Sequence, residues 1–167
     1  MTDKTLKDLF LHQLKDVYFA EHEISKAIPK MMKAATSPVL KAAFEKHLDE
    51  TKGQIERLNK VFKLLDMKPQ SVPCEAIKGI LKEGYEIAED FAGSRALDAG
   101  LVAAAQAVEH YEIARYGTMK CWADELGLED VAALIGETLA EERATDKALT
   151  KLAEEKLNIA AEADLAA

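Results

Sequence analysis

The sequence predicts an all-α protein built as a four-helix bundle. Three observations support this fold class. Four long segments repeat apolar residues at steps of three and four, and no segment alternates apolar and polar residues between turn signals. One stretch containing proline and glycine separates the first two segments from the last two. We therefore expect two helix pairs joined by one long connection.

The first two helices are predicted on either side of a short break. Residues 4–34 form the first, because their apolar residues fall on one stripe: Leu6, Phe10, Leu14, Val17, Ile24, Ile28 and Met32. The sequence Thr36-Ser37-Pro38 ends this pattern, with Ser37 suited to cap the next helix and Pro38 suited to its first position. The second helix follows with Leu40, Phe44, Leu48, Ile55, Leu58, Phe62 and Leu65. So short a link makes the two helices antiparallel.

The second helix pair is predicted after a crossover with one minor helix. Residues 67–94 hold two prolines and three glycines around a short amphipathic piece with Ile77, Leu81 and Ile87. The third long helix spans residues 96–126 and ends at Gly127, a residue suited to a left-handed C-terminal position. The fourth spans residues 129–157. We expect one domain over residues 1–160, followed by a frayed tail at 161–167.

One long connection between two antiparallel pairs favours the ferritin-like variant of the bundle. The alternative, a cytokine-like bundle, needs two long connections, whereas the first and third links here have only a few residues. The long crossover makes the second and third long helices run parallel.

The composition limits the partners. Thirty acidic and 22 basic side chains give a net charge of −8, which disfavours nucleic acid and anionic membranes and suits a cation. No segment has the roughly 20 apolar residues needed to cross a bilayer, and the N-terminus shows no signal-peptide core. We expect no nucleic-acid or membrane partner and a cytoplasmic location. Cys74 and Cys121 form no CxxC pair, so we interpret both as reduced packing residues.

Acidic residues fall on the apolar faces of the predicted helices. Stepping 100° per residue places Glu21 at the centre of the first stripe and Glu142 in the middle of the fourth. Asp146 lies one turn beyond Glu142, about 40° round the helix. Glu142 and Asp146 are both expected to be buried, as is Glu21.

The other two helices carry acids in less central places. On the third helix, Glu112 faces inward and Glu109 lies nearer the margin. On the second helix Glu50 lies at the margin, with His47 and Gln54 closer to the centre of the stripe. Taken alone, Glu50 and Glu109 are equally well explained as surface acids in ion pairs, and His47 as a core residue.

A short internal repeat relates the two halves of the chain. AEHEI at 20–24 resembles VEHYEI at 108–113, which aligns Glu21 with Glu109. DETKGQ at 49–54 resembles EERATD at 141–146, which aligns Glu50 with Glu142. A metal site with approximate two-fold symmetry would place residues in this way.

Several acids at one level of a bundle require neutralisation, because buried like charges are costly. Oxygen ligands suit iron, manganese, magnesium or calcium. Di-metal bundles use a glutamate on each of two helices and Glu-x-x-His on the other two. Here Gly53 and Thr145 occupy the histidine positions, and the nearest substitutes are Gln54, Asp146 and His47. Tyr18 and Tyr116 lie one turn from Glu21 and Glu112, where they can hydrogen-bond a ligand or serve as core aromatics.

Three phrases resemble the YciE/YciF-like family of ferritin-like bacterial stress proteins: LKAAFEKHLDETKGQIERL (40–58), AAAQAVEHYEIARYGT (103–118) and ETLAEERATDKALTKLA (137–153). The third helix is also similar to that of rubrerythrins, where a Glu-x-Tyr-Glu phrase supplies two ligands. The resemblance implies a di-metal carboxylate bundle, a homodimer and a link to stress responses, and it implies no known reaction.

Two hypotheses from different classes stay open. The first is a di-metal oxidase, peroxidase or metal-handling protein with two ions per chain, iron or manganese first, and a small oxidant or metal ion as substrate. Its predicted ligands are Glu21, Glu50, Glu109, Glu112, Glu142 and Asp146, with His47, Gln54, Tyr18 and Tyr116 as additional or supporting residues. The second is a non-catalytic, stress-induced structural or interaction protein on the same scaffold.

Overall fold

The computed structural model describes residues 3–163, and every regular element in that range is helical. The helices are α1 Leu6–Ala34, α2 Pro38–Leu64, α3 Glu75–Asp90, α4 Leu97–Glu125 and α5 Glu129–Leu152, followed by a turn of π-helix at Ala153–Leu157 and α6 Asn158–Glu162. The predicted all-α fold and its four long helices are confirmed. No helix of the described chain combines the length and apolarity needed to cross a membrane.

Local interactions explain where the long helices begin and end. Thr5 caps α1 through a capping box: its hydroxyl accepts from Asp8 N at 3.2 Å, and the Asp8 carboxylate accepts from Thr5 N at 2.8 Å. Ser37 caps α2 with Pro38 at the first helical position, as predicted. Gly127 follows α4 with φ of 69°, a left-handed conformation that favours glycine, and this too was predicted.

The long helices pack as a ferritin-like bundle. The α1–α2 and α4–α5 pairs are each joined by three residues, so each pair is antiparallel. Between the pairs, α1 packs on α4 and α2 packs on α5. Helix α3, within the long crossover, covers α1 and α4.

Two apolar clusters lie along the bundle, and a polar layer separates them. Glu21, Thr51, Glu112 and Glu142, one from each long helix, are all buried in this layer. On the side of the α1–α2 turn, the apolar cluster includes Ile24, Ile28, Leu40, Phe44, Ile77, Leu101 and Leu149. On the side of the α4–α5 turn, it includes Phe10, Leu14, Phe62, Tyr116, Met119, Ile135 and Leu139. Both clusters exclude water from the polar layer.

The C-terminal end differs from the predicted fourth helix. Helical structure continues past residue 157, because the π-helical turn lets the chain run on into α6, which ends at Glu162. The frayed tail expected at 161–167 lies mostly outside the described residues and stays a prediction.

We predict that Asp98 holds the α1–α2 turn against α4. Its buried carboxylate accepts from Thr36 N at 2.8 Å, Thr36 Oγ1 at 2.6 Å and Ser37 N at 2.7 Å. Asp98→Ala should lower the free energy of unfolding by about 3 kcal/mol, since charge-assisted bonds are lost and backbone donors stay unpaired. Urea denaturation measures this loss. Asp90→Ala, at an exposed position, is the control and should change it by less than about 0.5 kcal/mol. Equal midpoints for the two variants would contradict the prediction.

Candidate metal centre

Four buried side chains in the polar layer converge closely enough to hold a metal ion. His47 comes from α2, Glu109 and Glu112 from α4, and Glu142 from α5. One ligand atom from each lies within 4.8 Å of the others. Three carboxylates and one imidazole are a suitable donor set for a divalent transition metal.

Helix geometry explains this convergence. Glu109 and Glu112 are three residues apart on α4, so their side chains share one face of the helix. Across the bundle, His47 Nδ1 lies 2.9 Å from Glu109 Oε1, although the two atoms are not aligned for a hydrogen bond. The imidazole and this carboxylate therefore meet at the side of the layer nearer the α1–α2 turn.

Glu21 adds a fourth buried carboxylate from α1. Its side chain is completely buried, and the Tyr116 hydroxyl donates a hydrogen bond to Oε1. The other oxygen, Oε2, has no partner among the described residues. The charge of Glu21 contributes to the raised pKa of Glu112, which makes the two carboxylates neighbours across the α1–α4 interface.

Gln54 supports Glu142 from the neighbouring helix. Its amide nitrogen donates to Glu142 Oε1, and it also lies 3.2 Å from Glu141 Oε2 at the edge of the bundle. Because Gln54 is 1% exposed, its amide is a buried link between an inner and an outer carboxylate.

Glu50 and Asp146 lie at the rim of the layer with other partners. The Glu50 side chain is 24% exposed and accepts from Thr145 Oγ1 at 3.3 Å. The Asp146 side chain is 22% exposed, accepts from Gln106 Nε2 at 3.1 Å and lies 3.2 Å from His110 Nε2. Neither belongs to the four-residue cluster.

The layer contains many buried polar atoms that have no hydrogen-bond partner within residues 3–163. They are Glu21 Oε2, His47 Nε2, Gln54 Oε1 and both carboxylate oxygens of Glu109 and Glu112. Each such atom costs about 1–3 kcal/mol when left unsatisfied. Most are carboxylate oxygens, which are donors to hard cations, so the residues present fit a bound metal.

The electrostatics of the layer are those of crowded, desolvated acids. Burial raises the pKa of Glu21 to about 8, of Glu109 to about 7 and of Glu142 to about 9. The pKa of Glu112 is raised well above its ordinary value, first by burial and then by Glu142 and Glu21. Burial also lowers the pKa of His47, which keeps its imidazole neutral and able to bind a metal. Without a metal, the Glu21 and Glu142 carboxyls are therefore mostly protonated at neutral pH, and Glu109 is about half protonated.

The structure corrects two predicted positions among the acids. Asp146 was expected to be buried but is 22% exposed, because Thr145 takes the inward position of α5 beside it. The predicted burial of Glu21, Glu112 and Glu142 is confirmed, and so is the marginal position of Glu50. Glu109 was expected near the margin but is completely buried. A neighbouring helix causes the burial of Glu109, because His47 of α2 packs beside its carboxylate and covers that side of α4.

The two tyrosines do not behave alike. The Tyr18 hydroxyl bonds no predicted ligand: it donates to Asn59 Oδ1 at 3.0 Å, and the ring contacts His22. Tyr116 does bond a predicted ligand, Glu21 on α1, although it lies one turn from Glu112 in sequence. Only the packing of α4 against α1 reveals this pairing.

A family model described as a domain of unknown function, DUF892, matches residues 5–162. The chain belongs to this family. It is 44% identical to the protein YciF of Escherichia coli (strain K12) over 163 residues, which cover 97% of this chain and 98% of YciF. The resemblance noted in the sequence is therefore confirmed.

Two solved structures resemble this fold closely. The E. coli stress protein YciF matches with a TM-score of 0.89 and 43% identity, over 93% of this chain and 99% of its own. YcfI from Rhodopseudomonas palustris, described as a proposed structural protein, matches with a TM-score of 0.86 and 50% identity, over 88% and 94%. The bundle is thus shared across this group of bacterial proteins.

We predict that the metal-free protein loses stability as pH rises from about 5 to 9. The unfolded acids release protons near pH 4.5, whereas the folded ones keep them to about pH 7–9, so over this window the unfolded state binds fewer protons. Each acid contributes up to about 1.4 kcal/mol per pH unit. His47, with its lowered pKa, acts in the opposite direction only below its ordinary value of 6.5.

Urea denaturation of chelator-treated protein at several pH values tests this. Glu112→Gln should flatten the decline, because an amide cannot titrate. Glu56→Gln, at an exposed position on α2, is the matched control and should leave it unchanged. A free energy of unfolding that is constant over this range would show that the acids are solvated.

Proposed function

We propose that this protein binds two divalent metal ions per chain, iron or manganese, and that the loaded site reacts with dioxygen or peroxide or takes part in metal handling. The observation that supports this most directly is the layer of buried carboxylate and imidazole atoms without hydrogen-bond partners. In the proposal the bound ions supply one-electron redox chemistry. The protein works in the cytoplasm as a homodimer during a bacterial stress response.

The proposed ligands fall into two groups. His47, Glu109, Glu112 and Glu142 already converge on one point, and Glu21 lies beside Glu112. Glu50 and Asp146 are peripheral, and in the proposal they reach the ions from the rim of the α2 and α5 sides. Two ions are more consistent than one, because a single ion cannot use all the buried carboxylate oxygens.

The residues around the ligands have defined tasks. Tyr116 and Gln54 each hold one oxygen of a carboxylate, which fixes Glu21 and Glu142 and leaves Glu21 Oε2 without a hydrogen-bond partner among the described residues. Cation binding displaces the protons that the acids hold at neutral pH, so loading releases protons and weakens as pH falls. The two apolar clusters keep water away, which strengthens every electrostatic interaction in the layer.

The charge of the site favours an oxidised pair of ions. Six carboxylates carry up to six negative charges, two divalent ions carry four positive charges, and two trivalent ions carry six. The four-carboxylate site of the Glu-x-x-His type matches two divalent ions instead. We therefore expect fast oxidation and slow reduction.

A second candidate function is a structural or interaction role without redox chemistry. Two observations favour it. Gly53 and Thr145 occupy the positions where a Glu-x-x-His site has histidines, and Thr145 uses its hydroxyl to bond Glu50. The similar YcfI is itself described as a proposed structural protein.

Metal content tests the binding half of the proposal. Protein reconstituted with ferrous or manganous ions and then desalted should retain close to two ions per chain by elemental analysis. The double variant Glu112→Gln/Glu142→Gln should lose most of them, whereas Glu56→Gln should match the parent. Folded protein that retains no metal would favour the structural role.

Oxidation kinetics test turnover. Anaerobic ferrous-loaded protein, mixed with dioxygen or hydrogen peroxide in a stopped-flow instrument, should oxidise in one rapid phase. Glu142→Ala, Glu21→Ala and Glu109→Ala should each slow this phase at least about a hundredfold, since even outer-shell changes cost about 10–100-fold. Glu109 is included with the central acids because it is completely buried. Oxidation no faster than that of free ferrous ion would leave only binding.

A further inference from the structure

An apolar cavity lies directly beside the candidate metal centre. Its volume is about 30 Å³, and it lies between the middle of the bundle and the inner face of α3. Its walls include Ile24 of α1, Phe44 of α2, Leu81 of α3 and Val108 of α4. Apart from His47, no residue of the ligand cluster lines this cavity.

His47 connects the cavity to the metal centre. Among the described residues that line the cavity, it alone carries a polar side chain. Its Nδ1 atom faces the Glu109 carboxylate at 2.9 Å, whereas Nε2 is buried without a partner. One imidazole therefore belongs to both compartments, and a molecule in the cavity is one side chain away from the ligands.

The lining selects against polar occupants. A buried water typically makes two to four hydrogen bonds, and the cavity offers one nitrogen. Hydrogen peroxide, with two hydroxyl donors, would likewise lose most of its hydrogen bonds on entering. An apolar molecule has no hydrogen bonds to lose when it enters the cavity. Since about 10–15 Å³ is enough for one water on this measure, about 30 Å³ suits a molecule of roughly two heavy atoms.

We propose that the cavity binds dioxygen. From there the molecule passes along the His47 side chain to the metal centre. Binding of the gas depends only on the cavity, whereas its use as an oxidant rests on the proposed function. The assignment chooses between the two oxidants that the metal centre alone leaves open. Dioxygen partitions into the cavity, and peroxide does not.

The cavity can be filled from α4 without touching a ligand. Ala105 lines it and is partly buried, so Ala105→Leu adds three carbon atoms towards the space while keeping a good helix former. Leu81→Phe fills it from α3 and serves as a second variant if the first misfolds. Ala43→Leu is the control, because this partly buried residue packs on the same apolar cluster but does not line the cavity.

The first experiment uses xenon, a probe of dry apolar cavities, on crystals of the metal-free protein. A xenon site should appear among Ile24, Phe44 and Val108 in the parent and in Ala43→Leu. It should disappear in Ala105→Leu and in Leu81→Phe. A parent crystal without xenon at this place, or with ordered water there, overturns the proposal. This readout needs no metal, so it stands whether or not the protein oxidises iron.

The second experiment measures ferrous oxidation against dioxygen concentration. In Ala105→Leu the concentration for half-maximal rate should rise at least about tenfold, because a single extra methylene group in an apolar pocket already changes binding by about tenfold or more and this variant adds three carbon atoms; the maximal rate should be unchanged. The reaction with peroxide should keep its parent rate. A xenon site combined with an unchanged dioxygen dependence overturns the assignment to dioxygen. A parent that binds xenon but oxidises no iron instead refutes the proposed function and supports a gas site.

Discussion

The desolvation of several carboxylates in one layer is the constraint on which the rest of this structure depends. Glu21, Glu109, Glu112 and Glu142 are each at most 2% exposed, and each would be far more favourable in water as an anion. Two apolar clusters, one on each side, must provide the free energy that keeps the bundle closed around them. The raised pKa values show how the metal-free chain meets this constraint: it retains protons. In the proposed function, bound cations neutralise the same carboxylates after the protons have left. The layer can therefore exist in a protonated state and in a metal-bound state.

The internal repeat aligns two pairs of acids, and only one of these pairs has the same burial in both of its members. Glu21 and its counterpart Glu109 are both completely buried. Glu50 is partly exposed, whereas its counterpart Glu142 is buried and held by Gln54. Packing breaks the symmetry, because His47 occupies the inward position of α2 one turn before Glu50. The helices of the layer therefore differ chemically, with the buried imidazole on α2 and the buried acids on α1, α4 and α5.

The sequence was sufficient to predict the helices but only part of the site. Apolar periodicity identifies the four long helices, and Ser37 and Gly127 mark two of their ends through local chemistry alone. The same periodicity places Glu21 and Glu142 inside. It could not place Glu109, whose burial depends on a side chain from another helix. It also could not pair Tyr116 with Glu21, because that contact depends on how far α4 is rotated and shifted against α1. Contacts between helices have no periodic signature in a single sequence.

The α2–α5 interface links the buried layer to the surface. Arg57 holds Glu141 with two hydrogen bonds, at 2.8 and 3.0 Å, in the geometry of a bidentate pair. Glu141 in turn accepts from Gln54, and the same amide donates to Glu142. The partly exposed guanidinium of Arg57 thus fixes the outer end of a series of hydrogen bonds. The series runs through Glu141 and Gln54 and ends at the proposed ligand Glu142. Because the Gln54 amide cannot rotate without losing both carboxylates, the orientation of Glu142 is set before any cation arrives, which lowers the entropy that binding must overcome.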